Sequence, residues 1–60
     1  MKIIIEICTD NAAFEDEGMT TEAGRILDKI RIQMMRGILP DDIDVRDING
    51  NKCGSVRTED

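Results

Sequence analysis

The chain has no histidine, tryptophan or tyrosine, and its only aromatic residue is Phe14. Without imidazole there is no histidine base, no His-ligated metal and no Ser-His or Cys-His nucleophilic pair. One ring makes no stacking platform for single-stranded nucleic acid. Cysteine is scarce as well. Cys8 and Cys53 cannot complete a four-ligand zinc site without histidine, and disulfide-rich secreted domains carry more thiols and a leader. The expectation is two reduced thiols in a cytosolic protein. No apolar run is longer than Ile3-Ile4-Ile5, too short for a bilayer span or the apolar stretch of a signal peptide.

What remains is 60 residues, 40% hydrophobic and 35% charged, with a net charge of −5. That length supports one domain, residues 1–60, and a chain this short buries only about 60% of the surface its unfolded form exposes. Charge is unevenly spread. Residues 1–19 carry five acids and one base, residues 20–39 two acids and four bases, residues 40–60 six acids and three bases. The middle segment is a basic strip on an acidic body.

Residues 2–9 read as a strand, because four isoleucines in six positions suit the pleated state. Ile3, Ile5 and Ile7 form an apolar face; Lys2, Ile4, Glu6 and Cys8 form a mixed one. Residues 10–18 read as a loop with turn chemistry at Asp10-Asn11 and an acidic exit, Glu15-Asp16-Glu17. Phe14 is expected to fold back over one end of the core, or else to protrude as a contact residue. A helix is expected from a Thr20 or Thr21 cap to about Arg36, with Glu22 at the positive end of the dipole and Gly37 as its stop before Pro40. Ala23, Ile26, Leu27, Ile30 and Met34 share its apolar stripe. Ile32 lies roughly 140° from the centre of that stripe.

Asn49-Gly50 signals a hairpin with a two-residue type I′ turn. That register pairs Asp47 with Lys52, Arg46 with Cys53, Val45 with Gly54 and Ile43 with Val56, placing Ile43, Val45 and Val56 on one face. A three-residue loop would shift the partner strand by one. The order β-α-β-β predicts a two-layer sandwich of the α+β class, one helix packed on a three-stranded, mainly antiparallel sheet with the third strand central. The expected core is Ile26, Leu27, Ile30 and Met34 against Ile3, Ile5, Ile7, Ile43, Val45 and Val56. Cys8 and Cys53 are expected on the opposite sheet face, on neighbouring strands, and the last residues, Thr58-Glu59-Asp60, are expected to fray.

No catalytic constellation emerges. The stretch from Asp47 has its glycine fourth, where a calcium-binding EF-hand loop needs it sixth. Acidic pairs such as Asp41-Asp42 would need a partly dry cleft to act as acid and base. The glycines at the helix start lack a phosphate-loop Gly-Lys-Ser/Thr. The expectation is therefore no enzyme, no cofactor and no metal. A surface is expected instead, drawn from Ile4, Ile48, Arg25, Lys29, Ile32, Met35, Arg36 and Phe14.

Three segments carry a resemblance: Thr9-Asp10-Asn11-Ala12-Ala13-Phe14, Glu22-Ala23-Gly24-Arg25-Ile26-Leu27, and Asp47-Ile48-Asn49-Gly50-Asn51-Lys52-Cys53-Gly54. In that order they resemble a group of very short bacteriophage and prophage proteins of uncharacterised activity. The resemblance implies an accessory protein in the host bacterial cytoplasm. The resulting expectation is a non-enzymatic module acting by protein–protein contact, binding and inhibiting a host or defence factor, and also forming a homodimer. The sheet face with Ile4 and Ile48 is the first choice of self-contact, the Ile32 helix face the second. One alternative is an acidic nucleic-acid mimic using Glu15-Asp16-Glu17, Asp41-Asp42-Asp44 and Glu59-Asp60. Another is a small DNA-binding regulator using the basic helix, although the net charge argues against nucleic acid as a partner. No membrane partner is expected.

Overall fold

The computed structural model describes residues 1–39 and 41–60; Pro40, expected in a loop, lies outside the described residues. The elements run β1 (Lys2–Ile7), α1 (Ala12–Asp16), α2 (Met19–Met35), β2 (Ile43–Arg46) and β3 (Lys52–Glu59). The sheet order is β1-β3-β2, and both pairings are antiparallel. This is the expected α+β sandwich, one main helix over three strands with the last strand in the middle.

The segment before α2 is more ordered than its turn residues suggest. Ala12–Asp16 forms a five-residue helix that buries Ala13 and Phe14. Phe14 thus closes one end of the core. Helix α2 begins at Met19, one turn's edge earlier than a threonine cap would place it. Its N-cap is Gly18, at φ 91° and with no side-chain cap. The other end is a Schellman closure: Gly37, at φ 80°, donates its N–H to Met34 and Ile38 donates to Gln33. Glycine adopts that left-handed residue without steric cost.

The hairpin is not type I′. Gly50 N–H bonds to the Asp47 carbonyl, and Asp47 N–H bonds to the Asn51 carbonyl. Only Gly50 in the turn has positive φ, so the loop has three residues, a type I turn followed by a left-handed glycine. Alone, this would shift the strands by one. A bulge at Val45/Arg46 absorbs the shift. Arg46 lies opposite Lys52, yet Val45 still faces Gly54 and Ile43 still faces Val56. The expected pairs near the turn are therefore wrong and those beyond it right. The bulge also breaks the side-chain alternation, and Cys53 joins the core instead of the far face. Cys8 is exposed, and both thiols are free.

The buried cluster comprises Phe14, Ile26, Ile30, Val45, Cys53 and Val56, with Ile7, Ala23, Met34 and Ile43 packed against it. Three expected core residues fall outside it: Ile3 is 46% exposed, Ile5 39% and Leu27 45%. The face assignment is nevertheless right, since Ile5 lies directly across the ladder from Val56, which is fully buried. Coverage is the missing quantity. A helix about 10–12 Å wide spans roughly two strands spaced at about 4.8 Å, and α2 lies against β2, with Ile26 and Ile30 facing Ile43 and Val45 across a shallow cleft.

The C-terminal residues do not fray as expected. β3 continues to Glu59, and Asp41 accepts hydrogen bonds from both the backbone N–H and the hydroxyl of Thr58, at 2.9 and 2.7 Å. Asp41 supplies the acceptor that β2, starting at Ile43, is too short to provide. Those two bonds from Thr58 hold the Asp41 carboxyl below its ordinary pKa.

Candidate functional site

Two regions gather side chains that the core does not explain. The first is a polar junction where α1, the first turn of α2 and the hairpin meet. Glu22 is fully buried, and its carboxylate accepts from the Arg25 guanidinium at 2.5 Å and from the backbone N–H of Ile48 at 3.1 Å. Asp47, also buried, accepts from the Asn11 amide at 3.0 Å and from the N–H groups of Asn49 and Asn51 at 2.9 and 3.0 Å. Asn11 bridges onward to the Lys52 carbonyl. Burial alone would raise the Asp47 pKa. The hydrogen bonds from Asn51, Asn11 and Asn49, with Arg25 nearby, outweigh it and leave the pKa lowered.

The two carboxylates of this junction are well partnered, while the buried Nη2 of Arg25 has no hydrogen-bond partner among the described residues. Glu22 accepts from a guanidinium and a backbone N–H, and Asp47 from an amide and two backbone N–H groups, the bonding expected of a structural clamp on the turn. Cys53, next to it, is a poor nucleophile. Burial raises its thiol pKa first, the Asp47 and Glu22 carboxylates raise it further, and Arg25 only partly opposes them. Among the described residues, no group of three Cys, Asp or Glu side chains is arranged to hold a metal ion, and no helix is long and apolar enough to cross a membrane.

All three segments that carry the phage-protein resemblance meet here, through Asn11, Glu22 with Arg25, and Asp47 to Lys52. In this structure they hold the hairpin onto the helix. The sequence pattern does not show this junction: it assigns Glu22 to the helix dipole and sets Asp47 opposite Lys52 across the hairpin, where their charges would pair. Lys52 instead approaches Asp44, at 3.3 Å. An Asp preceding Asn-Gly was a usable signal for an Asx-capped turn. Nothing local could reveal that Glu22 meets the N–H of a residue 26 positions later.

The second region is the surface. Of the expected contact residues, Lys29, Ile32, Met35 and Arg36 are exposed and share one side of α2. Met35 is 77% exposed, and the chain leaving the helix adds Ile38 and Leu39, both exposed. Ile48 is exposed at the hairpin tip, and Ile4 is half-buried on the far sheet face. Two expected members are withdrawn: Phe14 is buried in the core, and Arg25 is half-buried against Glu22. Arg31 is tied to Asp28 at 2.9 Å. The residues named for one surface therefore divide among the helix, the hairpin tip, the sheet and the interior. No protein-family model, curated protein or solved structure matches this chain.

Proposed function

We propose that this protein is a non-enzymatic, phage-type accessory module that acts by protein–protein contact, binding and inhibiting a bacterial host or defence factor in the cytoplasm. The observation that carries the reading is the balance of apolar side chains. Among the described residues, ten large apolar side chains are exposed, while the buried cluster holds six residues. Single exposed apolar residues are ordinary on a monomer. Here Ile32, Met35, Ile38 and Leu39 follow one another along the outer side and exit of α2, flanked by Lys29 and Arg36, which fits an apolar patch with an acidic rim on a partner.

The test is retention of a bacterial protein by the immobilised chain, compared with an Ile32→Asp/Met35→Asp variant. Both sites are exposed, so the variant should stay folded by circular dichroism. A partner held through high salt by the parent and lost by the variant supports the reading. Equal retention by both, or none by either, overturns it.

A second reading, the acidic nucleic-acid mimic, draws on Glu15-Asp16-Glu17 and on Asp42 and Asp44, all of them exposed. It predicts steep release of the partner by salt. A DNA-binding helix draws less support, because Arg25 and Arg31 are already engaged with Glu22 and Asp28.

A further inference from the structure

Strand β1 is an edge strand, with β3 on one side and, among the described residues, no strand on the other. Cys8, just past its end, donates its N–H to the Cys53 carbonyl. Antiparallel ladders alternate, so even-numbered residues of β1 bond inward to β3, and Ile3, Ile5 and Ile7 turn their N–H and C=O groups to the open edge. Those isoleucines also carry the helix-side face, where Ile3 and Ile5 are 46% and 39% exposed. The edge contains no proline, glycine or bulge, runs six residues in unbroken register, and carries charge only at Lys2 and Glu6, on either side of an uncharged Ile3-Ile4-Ile5 stretch. The opposite edge, β2, has four residues, carries Asp44 and Arg46, and ends in a bulge.

We infer that β1 pairs with β1 of a second copy across a twofold axis at Ile4, joining two three-stranded sheets into one of six strands. The sequence Lys2-Ile3-Ile4-Ile5-Glu6 reads the same in charge and hydropathy from either end when the sign is reversed. Antiparallel pairing centred on Ile4 sets Lys2 against the partner's Glu6 and Glu6 against the partner's Lys2. Ile4 meets the partner's Ile4, and Ile3 meets the partner's Ile5. The last pair falls on residues whose backbone groups face the open edge, so it can exchange both hydrogen bonds, while Lys2 and Glu6 fall at non-bonded positions, where side chains approach more closely.

Moving the axis to Ile3 or Ile5 keeps the hydrogen-bond parity. It also sets Lys2 against the partner's Ile4 or Cys8, and both ion pairs vanish. Charge therefore selects one register. Glu59 lies across β3 from Lys2, so the outer face gains rows of alternating sign, Glu59 to Lys2 to the partner's Glu6. On the inner face, Ile3 and Ile5 of both copies form one apolar block continuous with the core. The edge that β1 would occupy is distinct from the outer side of α2, so this pairing stands or falls independently of the partner protein proposed above.

The test is sedimentation equilibrium of the full chain over a wide concentration range, with Lys2→Glu, Glu6→Lys and the double exchange. The parent should be a dimer. Each single variant, placing like charges opposite one another twice per dimer, should weaken association about tenfold. The double exchange, made together with Arg57→Glu and Glu59→Lys so that the intrachain pairs Lys2–Glu59 and Glu6–Arg57 persist with reversed sign, is again self-complementary and should recover to within about threefold of the parent. Amide hydrogen exchange supplies a readout that does not depend on the variants folding: the N–H groups of Ile3 and Ile5 should be protected and lose protection on dilution. A single species near 6.7 kDa at every concentration would overturn the inference. So would a dimer in which the Ile3 and Ile5 amides exchange freely, or one that the double exchange, made with those two accompanying changes, fails to rescue.

Discussion

Ile5 and Val56 face each other across the β1–β3 ladder and point to the same side of the sheet, yet Val56 is fully buried and Ile5 is 39% exposed. The two halves of the sandwich differ in cover, not in composition. Over β2 and β3 the helix supplies Ile26 and Ile30, α1 supplies Phe14, and the bulge turns Cys53 inward. Over β1 only the end at Ile7 is packed. Position on an apolar face is thus a poor guide to burial in a domain with one main helix, because that helix is narrower than the sheet.

The contrast should be plainest in unfolding free energies measured by denaturant titration. Phe14→Ala removes the plug on the covered half and should cost about 3–5 kcal/mol, a large fraction of the stability of so small a domain. Glu22→Ala should cost about 3 kcal/mol, since it strips a buried partner from Arg25 and from the Ile48 N–H. If it costs as little as a surface substitution, the junction is not a clamp.

On the uncovered half the expected effects are smaller. Gly24 is exposed in the interior of α2, and a methyl group there meets nothing within 4 Å. Gly24→Ala should stabilise by about 1 kcal/mol, read as a raised urea midpoint. Leu27→Ala and Ile5→Ala, measured at concentrations low enough to favour a monomer, should each cost less than about 1 kcal/mol. A loss as large as that of Ile26→Ala at either site would show that the helix covers β1 after all. Acidification sharpens the comparison from the polar side. Asp41 and Asp47 both have pKa values lowered by hydrogen bonds in the fold. Their contribution is fully present above the unfolded carboxylate pKa and is lost as pH falls through the lowered folded value. The parent should therefore weaken on moving to about pH 3, and Asp47→Asn should flatten that acid limb.

The strand and helix patterns were legible because each rests on near-neighbour periodicity. Isoleucines at alternate positions mark β1, and Ile26, Ile30 and Met34 at spacings of four mark the inner side of α2. The hairpin was half legible. Asn49-Gly50 announces a turn, but two- and three-residue loops both accept that pair, and the choice was made on apolar alternation. A bulge satisfies the same alternation from the other loop length, and it decided the side on which Cys53 falls. The junction of Asn11, Glu22, Arg25 and Asp47 was hidden for a related reason. Each of its residues has an ordinary local use, as turn former, dipole partner or surface charge, and only their distant partners give them another.

The sequence by itself determined the succession of β1, the main helix and the two hairpin strands, the antiparallel three-stranded sheet, the inward faces of β1 and β2 and the glycine stop of the helix, because these follow from propensity, alternation and local steric rules. Tertiary structure alone decided which apolar residues are dry, where the bulge sits and which carboxylates are buried. Those outcomes depend on where a single helix comes to rest over a sheet wider than itself, and no short-range pattern encodes that position.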